Sequence, residues 1–141
     1  MGADLFSHPS AVFKISDFGS SMLPLGMPVW GTFCRQPAYV APEFLFRDCG
    51  FSSDIFQFGC TAFVLLTGRP LFPAPEHLTF DEASRSQLKR RGHPDFEQRL
   101  AEAGASSAKG LLKQALRYYP GNRSSAEQLL DLLPGAVKEG R

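Results

Sequence analysis

The sequence predicts a mainly α fold with one short β segment near its start, and three observations predict it. The stretch from Ser53 to Thr67 is apolar on every side of a helix. Ala108, Leu111, Leu112, Ala115 and Leu116 follow the i, i+3, i+4, i+7, i+8 spacing of one helical face. Ser124-Ser125-Ala126-Glu127 reads as a capping box that opens a further helix with the stripe Ala126, Leu129, Leu130 and Leu133.

In chain order, Met1 to Ser10 carries no periodicity. Ala11, Val12, Phe13, Lys14 and Ile15 read as a short strand ending at Ser16-Asp17. Residues 18–36 are rich in Gly, Ser, Pro and Met without a sustained period, which predicts a long loop of the kind that is either functional or disordered. The helix from about Ser53 to Thr67 has Ser52, Ser53 or Asp54 to cap it, and Gly68 followed by Pro70 to stop it. Because its apolar residues face every direction, it is expected to be buried all round at the centre of the domain. A weaker helix between Thr79 and Gly92 has acids early (Asp81, Glu82) and bases late (Lys89, Arg90, Arg91), in the sense the helix dipole favours. Pro134-Gly135 ends the last helix. The domain is expected to occupy residues 1–135, with 136–141 a short frayed tail.

The bulk properties narrow the function classes. With 141 residues the chain supports one domain with a sizeable core. A hydrophobic content of 43% and a charged content of 21% argue against wholesale disorder. A formal net charge of +1 supplies no field for nucleic acid or an anionic membrane. The most apolar run, Ile55 to Leu66, is shorter than the ~20 residues a membrane span needs, and no signal peptide is visible at the start. Cys34, Cys49 and Cys60 read as reduced thiols, and His8, His77 and His93 are too scattered to form a metal site. The expectation is a soluble protein of the cytoplasm or nucleus, with neither nucleic acid nor membrane as a partner.

The motifs sharpen this. Asp17-Phe18-Gly19 follows the β-like run, and Ala41-Pro42-Glu43 comes about two dozen residues later. In this order and spacing the pair resembles the activation segment of eukaryotic-type protein kinases. Asp54-Ile55-Phe56-Gln57-Phe58-Gly59 resembles the motif that opens that family's long buried helix, and Thr67-Gly68-Arg69-Pro70-Leu71-Phe72 resembles the turn that ends it. Leu111 through Leu116, then Pro120, Arg123 and Ser125 to Leu130, resemble the two closing helices. The resemblance covers about Asp4 to Leu133.

What it implies is specific. The fold is the C-terminal (large) lobe of a protein kinase, truncated, beginning within the catalytic loop. The Pro37-Ala38-Tyr39-Val40-Ala41-Pro42-Glu43 run resembles the serine/threonine form, so the parent activity is ATP-dependent phosphoryl transfer to protein hydroxyls. Asp17, Phe18 and Gly19 would lie at the ATP site, and Asp17 with Asp4 would hold Mg2+. Asp4 stands where the family places asparagine, and an aspartate also binds magnesium through oxygen. Glu43 would pair with Arg123, and Asp54 would either cap its helix or accept backbone hydrogen bonds from the catalytic loop. Pro37 and Tyr39 would dock substrate, and Ser20, Ser21 and Thr32 are candidate phosphosites.

Two departures bear on activity. Arg35-Gln36 precede Pro37 where the family places Gly-Thr, and Gly31-Thr32 lie further back. The sequence also contains no glycine-rich phosphate loop, no strand lysine and no His-Arg-Asp motif. The resemblance therefore implies a chain inactive alone, whose partners are a protein substrate or the missing N-terminal lobe. The alternative is a non-catalytic, kinase-like binding module that engages substrates or regulators. Either way an exposed apolar face is expected, with Asp54 buried and poorly partnered.

Overall fold

The computed structural model describes residues 12, 14–16, 18, 36–46, 49–75, 78–91, 95–104 and 106–133. Among them five α-helices follow one another: α1 (Phe51–Thr67), α2 (Phe80–Arg91), α3 (Asp95–Ala101), α4 (Ser106–Ala115) and α5 (Ala126–Asp131). Short 3-10 turns at Pro37–Tyr39 and Pro42–Phe46 precede α1, and another at Pro120–Asn122 precedes α5. No strand is assigned among the described residues. Val12, Lys14 and Ile15 from the β-like run carry no regular structure, and 11 and 13 lie outside the described set.

Local chemistry explains the helix boundaries. Helix α1 starts at Gly50 rather than at Ser52, Ser53 or Asp54. Ser53 sits in its third position, where its Oγ accepts a 3.2 Å bond from the Gly50 amide. The helix stops at Gly68, whose φ of 72° is a left-handed conformation that glycine adopts without a Cβ penalty. Its amide donates to the Val64 carbonyl at 2.7 Å. Helix α2 is opened by Thr79, whose amide and hydroxyl donate to Glu82 Oε2 at 2.8 and 2.9 Å. The Thr79 amide first, and then its hydroxyl, hold the exposed Glu82 carboxyl below its ordinary range. Helix α5 is capped one residue later than the sequence pattern suggests. Ser125 Oγ accepts from the Gln128 amide and Gln128 Oε1 accepts from the Ser125 amide. Helix α3 was not anticipated, because seven residues with one apolar i, i+4 pair, Phe96 and Leu100, give too short a pattern to stand out.

Burial corrects the reading of α1. Its buried residues are Ser53, Phe56, Gly59, Cys60 and Phe63, which lie close to one stripe at helical spacing. The other faces meet solvent: Phe51 is 77% exposed and Leu65 61%. A helix apolar all round therefore buries one face here, because the described elements pack on one side of it only. The face left open is an exposed apolar surface that includes Phe51, Leu65 and Leu66. Among the described residues no helix is long and apolar enough to cross a membrane.

The core lies between that stripe, the segment before α1 and the helices after it. Val40, Ala41 and Phe44 meet Phe56, Cys60 and Phe63 of α1, Leu71 and Phe72 beyond it, Ala83 of α2, Leu100 of α3, and Leu112 and Leu116. The rings of Phe56, Phe72 and Phe96 stack in a column, with successive centroids 5.9 Å apart and nearly parallel planes. Burial pushes the Cys60 thiol far up, so it remains a neutral core group. Exposed pairs such as Arg69–Glu102 and Lys113–Glu97, both 2.8 Å apart, contribute at most about 1 kcal/mol each.

Gly59 packs tightly against Ala115 and Leu116 at the end of α4. A Cβ there would lie 2.9 Å from Leu116 Cγ and Cδ2 and 3.1 Å from Ala115 Cβ. Gly59→Ala gains about 1 kcal/mol of helix propensity, while overpacking a closed core costs about 1–3 kcal/mol. The expected result is a net loss of about 1 kcal/mol in urea denaturation, and a smaller loss from the same change when it is made in a Leu116→Ala background, whose own cavity cost is the reference.

Candidate functional site

The best-defined polar assembly is where the segment 36–46 meets the helical base. Val40, Ala41, Pro42, Glu43 and Phe44 are all buried, so this segment enters the core rather than running over the surface. The two 3-10 turns follow from their prolines: Pro37 and Pro42 each take a first position, where a missing amide costs no hydrogen bond. A carboxylate in such a place needs donors close by.

Arg123 supplies them. It follows the Pro120–Asn122 turn, is buried, and pairs with Glu43 through both oxygens. Nη2 donates to Glu43 Oε2 at 2.7 Å and Nη1 donates to Oε1. The remaining donors are also placed. Nη1 reaches the Ser52 carbonyl at 2.8 Å, Nη2 the Tyr118 carbonyl at 3.0 Å, and Nε the Arg117 carbonyl at 2.7 Å. All five guanidinium hydrogens thus have acceptors, which is the condition for carrying this charge inside a protein. The Phe56 ring lies 5.0 Å from the guanidinium carbon, adding a cation–π contact. Ser53 Oγ donates to Glu43 Oε1 at 2.8 Å. One cluster therefore joins the segment 36–46, the start of α1 and the turn before α5.

The other residues singled out from the sequence separate into three groups. Pro37 is buried and Tyr39 half-buried, packed at the edge of the core. Phe18 is described and exposed, while Asp4, Asp17, Gly19, Ser20, Ser21 and Thr32 lie outside the described residues. Asp54 differs from expectation. It is exposed, not buried, because it sits on the opposite side of α1 from Phe56 and Phe63. It does not cap the helix, since Gly50 and Ser53 do so. Among the described residues no group of three or more His, Cys, Asp or Glu is placed to hold a metal ion.

Ser53 and Phe56 are the members of the cluster that the sequence reading did not assign to it. A signal for Ser53 was present: it is the polar residue on the 53, 56, 60, 63 stripe, and a hydroxyl on a buried stripe requires a partner.

Comparison with known proteins places this arrangement. The chain is 35% identical over 122 residues to serine/threonine-protein kinase 33 of Mus musculus, covering 84% of this chain and 24% of that protein. It is 37% identical over 123 residues to CBL-interacting serine/threonine-protein kinase 15 of Arabidopsis thaliana, covering 83% of this chain and 27% of the relative. The crystal structure of Rad53 1-466 in complex with AMP-PNP superposes with a TM-score of 0.51 at 27% identity, covering 65% of this chain and 24% of that one. The chain thus spans about a quarter of the length of the relatives it matches. The protein kinase domain family matches residues 4–132, nearly the whole sequence, and the chain belongs to that family as a mainly helical part of its domain.

Proposed function

We propose that the chain is the C-terminal, substrate-docking part of a serine/threonine protein kinase domain whose complete form transfers the γ-phosphoryl group of ATP to protein hydroxyls. The observation that carries this reading is the buried Glu43–Arg123 cluster, which anchors the Ala41-Pro42-Glu43 end of the proposed activation segment to the helical base. The serine/threonine names of the relatives support the substrate class, and AMP-PNP in the Rad53 structure supports ATP as the donor.

In the complete reaction the substrate hydroxyl oxygen forms a bond to the γ-phosphorus, its proton passes to the catalytic-loop aspartate of the complete domain, the bond to the β–γ bridging oxygen breaks, and ADP leaves. The part assigned to this chain is positioning. Pro37 and Tyr39, held at the core edge, orient the incoming polypeptide. Asp17 and Asp4 are the residues assigned to Mg2+, on the strength of the Asp17-Phe18-Gly19 spacing. When bound, the metal neutralises phosphate charge. Ser20, Ser21 and Thr32 remain candidate phosphosites on the loop before Pro37. The functions of a glycine-rich loop, a strand lysine and a catalytic-loop aspartate are not carried by these 141 residues, so the chain alone is expected not to phosphorylate. Its partners are then a protein substrate and an N-terminal kinase lobe, in the cytoplasm or nucleus.

A second reading, a non-catalytic kinase-like module, is favoured by one feature. Ile55 and Phe58 of α1, Leu111 of α4, and Leu129, Leu130 and Leu133 of the α5 region line an open apolar groove of about 220 Å³ that lies outside the Glu43–Arg123 cluster.

A chimera separates the two. The part of mouse serine/threonine-protein kinase 33 that precedes the matched stretch is joined to this chain and assayed on serine, threonine and tyrosine peptides. The expected result is magnesium-dependent phosphorylation of serine or threonine, abolished by Asp17→Ala. A folded chimera without activity, beside an active parent kinase, would favour the binding module.

A further inference from the structure

The geometry points to Ser53 as a positioning residue that sets the place of the segment 36–46 against helix α1, in addition to closing the first turn of that helix. The hydroxyl sits in a relay. The Gly50 amide donates to Ser53 Oγ at 3.2 Å, and Ser53 Oγ donates to Glu43 Oε1 at 2.8 Å. Ser53 is 3% exposed, so no water competes for either bond. Glu43 Oε1 also receives Arg123 Nη1, and the same nitrogen donates to the Ser52 carbonyl. The carboxylate is therefore held from two directions. Arg123 ties it to the turn before α5 and, through the Ser52 carbonyl, reaches the start of α1, while Ser53 bonds the carboxylate directly from α1 itself.

Arg123 alone does not fix that geometry. The guanidinium fork, itself held by the Arg117, Ser52 and Tyr118 carbonyls, sets the distance and plane of the carboxylate from one side. The Ser53 bond adds a second line of constraint from an element rooted in the core by Phe56, Cys60 and Phe63. Residues 36–46 then inherit their position from α1. A pure capping role would not require this contact, because the bond from the Gly50 amide needs only an acceptor at that position. Acidic residues serve well there, near the positive end of the helix.

That difference supplies the test. Ser53→Asn and Ser53→Asp have the same size and both offer an acceptor to Gly50, but only the asparagine can donate to Glu43. The aspartate sets a second negative charge against it. Amide hydrogen exchange in the full chain reports the outcome at Tyr39 and Phe44, whose amides bond to Gln36 and Ala41 carbonyls, with Leu116 of the α4 end as reference. The expected result is that Ser53→Ala speeds exchange at Tyr39 and Phe44 about tenfold while Leu116 changes little. Ser53→Asn should restore part of the protection and Ser53→Asp should lose the most. Equal protection in the Asn and Asp variants, or an even rise at all three amides, would overturn the assignment.

If the Asp variant does not fold, a urea cycle of Ser53→Ala with Glu43→Gln decides. Coupling of at least threefold in the unfolding constant supports the tie, and additivity overturns it. The proposal rests on the substrate-docking reading of residues 36–46 for its functional meaning. Exchange in this chain reads the tie itself, whereas failure of that reading would show in the chimera.

Discussion

Arg123→Ala is expected to lower stability by about 3–5 kcal/mol, a large fraction of the ~5–15 kcal/mol that holds a typical domain folded. The size of the loss follows from what remains behind. Glu43 is 3% exposed, so the variant leaves a buried carboxylate with Ser53 as its one remaining donor among the described residues. It also leaves the carbonyls of Ser52, Arg117 and Tyr118 without their guanidinium donors, and the Phe56 ring without its cation. Arg123→Lys should recover only part, since an ammonium is a point charge and cannot present two parallel bonds to a carboxylate. Changing both partners to apolar residues of similar size, Glu43→Leu with Arg123→Met, should be milder than either single change, because no charge is then stranded. Urea denaturation followed by circular dichroism measures each. A loss below 1 kcal/mol for Arg123→Ala would mean that the pair is solvated.

Phe63→Ala is expected to cost about 3–5 kcal/mol by urea denaturation, the range for emptying a large core site. Phe63 is fully buried in the middle of α1, and its ring meets the cluster that includes Phe44 and Leu112. Phe58→Ala is the informative partner. Phe58 lies on the same helix but is 48% exposed at the rim of the open groove, so its loss should be about 1 kcal/mol or less. If α1 were buried all round, as its composition suggests, the two changes would cost the same. A difference of at least about 2 kcal/mol supports the one-sided burial.

That contrast shows what the sequence made legible. Features set by neighbouring residues were readable: the stop at Gly68, the span of α2, and the α4 stripe of Leu111, Leu112, Ala115 and Leu116, all buried. Features set by tertiary context were not. The all-apolar composition of α1 says nothing about which of its faces finds a neighbour, so Phe51 and Leu65 are exposed despite their type. Of the α5 stripe, Leu129 alone is buried while Ala126, Leu130 and Leu133 remain open to solvent. Asp54 was expected to be buried from the role its place in the resembled family implies, and it is exposed. Ser53 looked like an ordinary capping candidate, because a hydrogen bond to a residue ten positions back in the chain leaves no local pattern. Glu43 and Arg123, 80 residues apart, were linked only through the family resemblance; neither composition nor spacing joins them.

We propose that this chain carries part of a nucleotide site and does not complete it. Calorimetric titration of the purified 141-residue chain with ATP and magnesium, beside its Asp17→Ala variant, tests that claim most directly. The account predicts no detectable binding to either. Binding by the native sequence that disappears in the Asp17→Ala variant would contradict it, showing that these residues complete the site by themselves or by pairing.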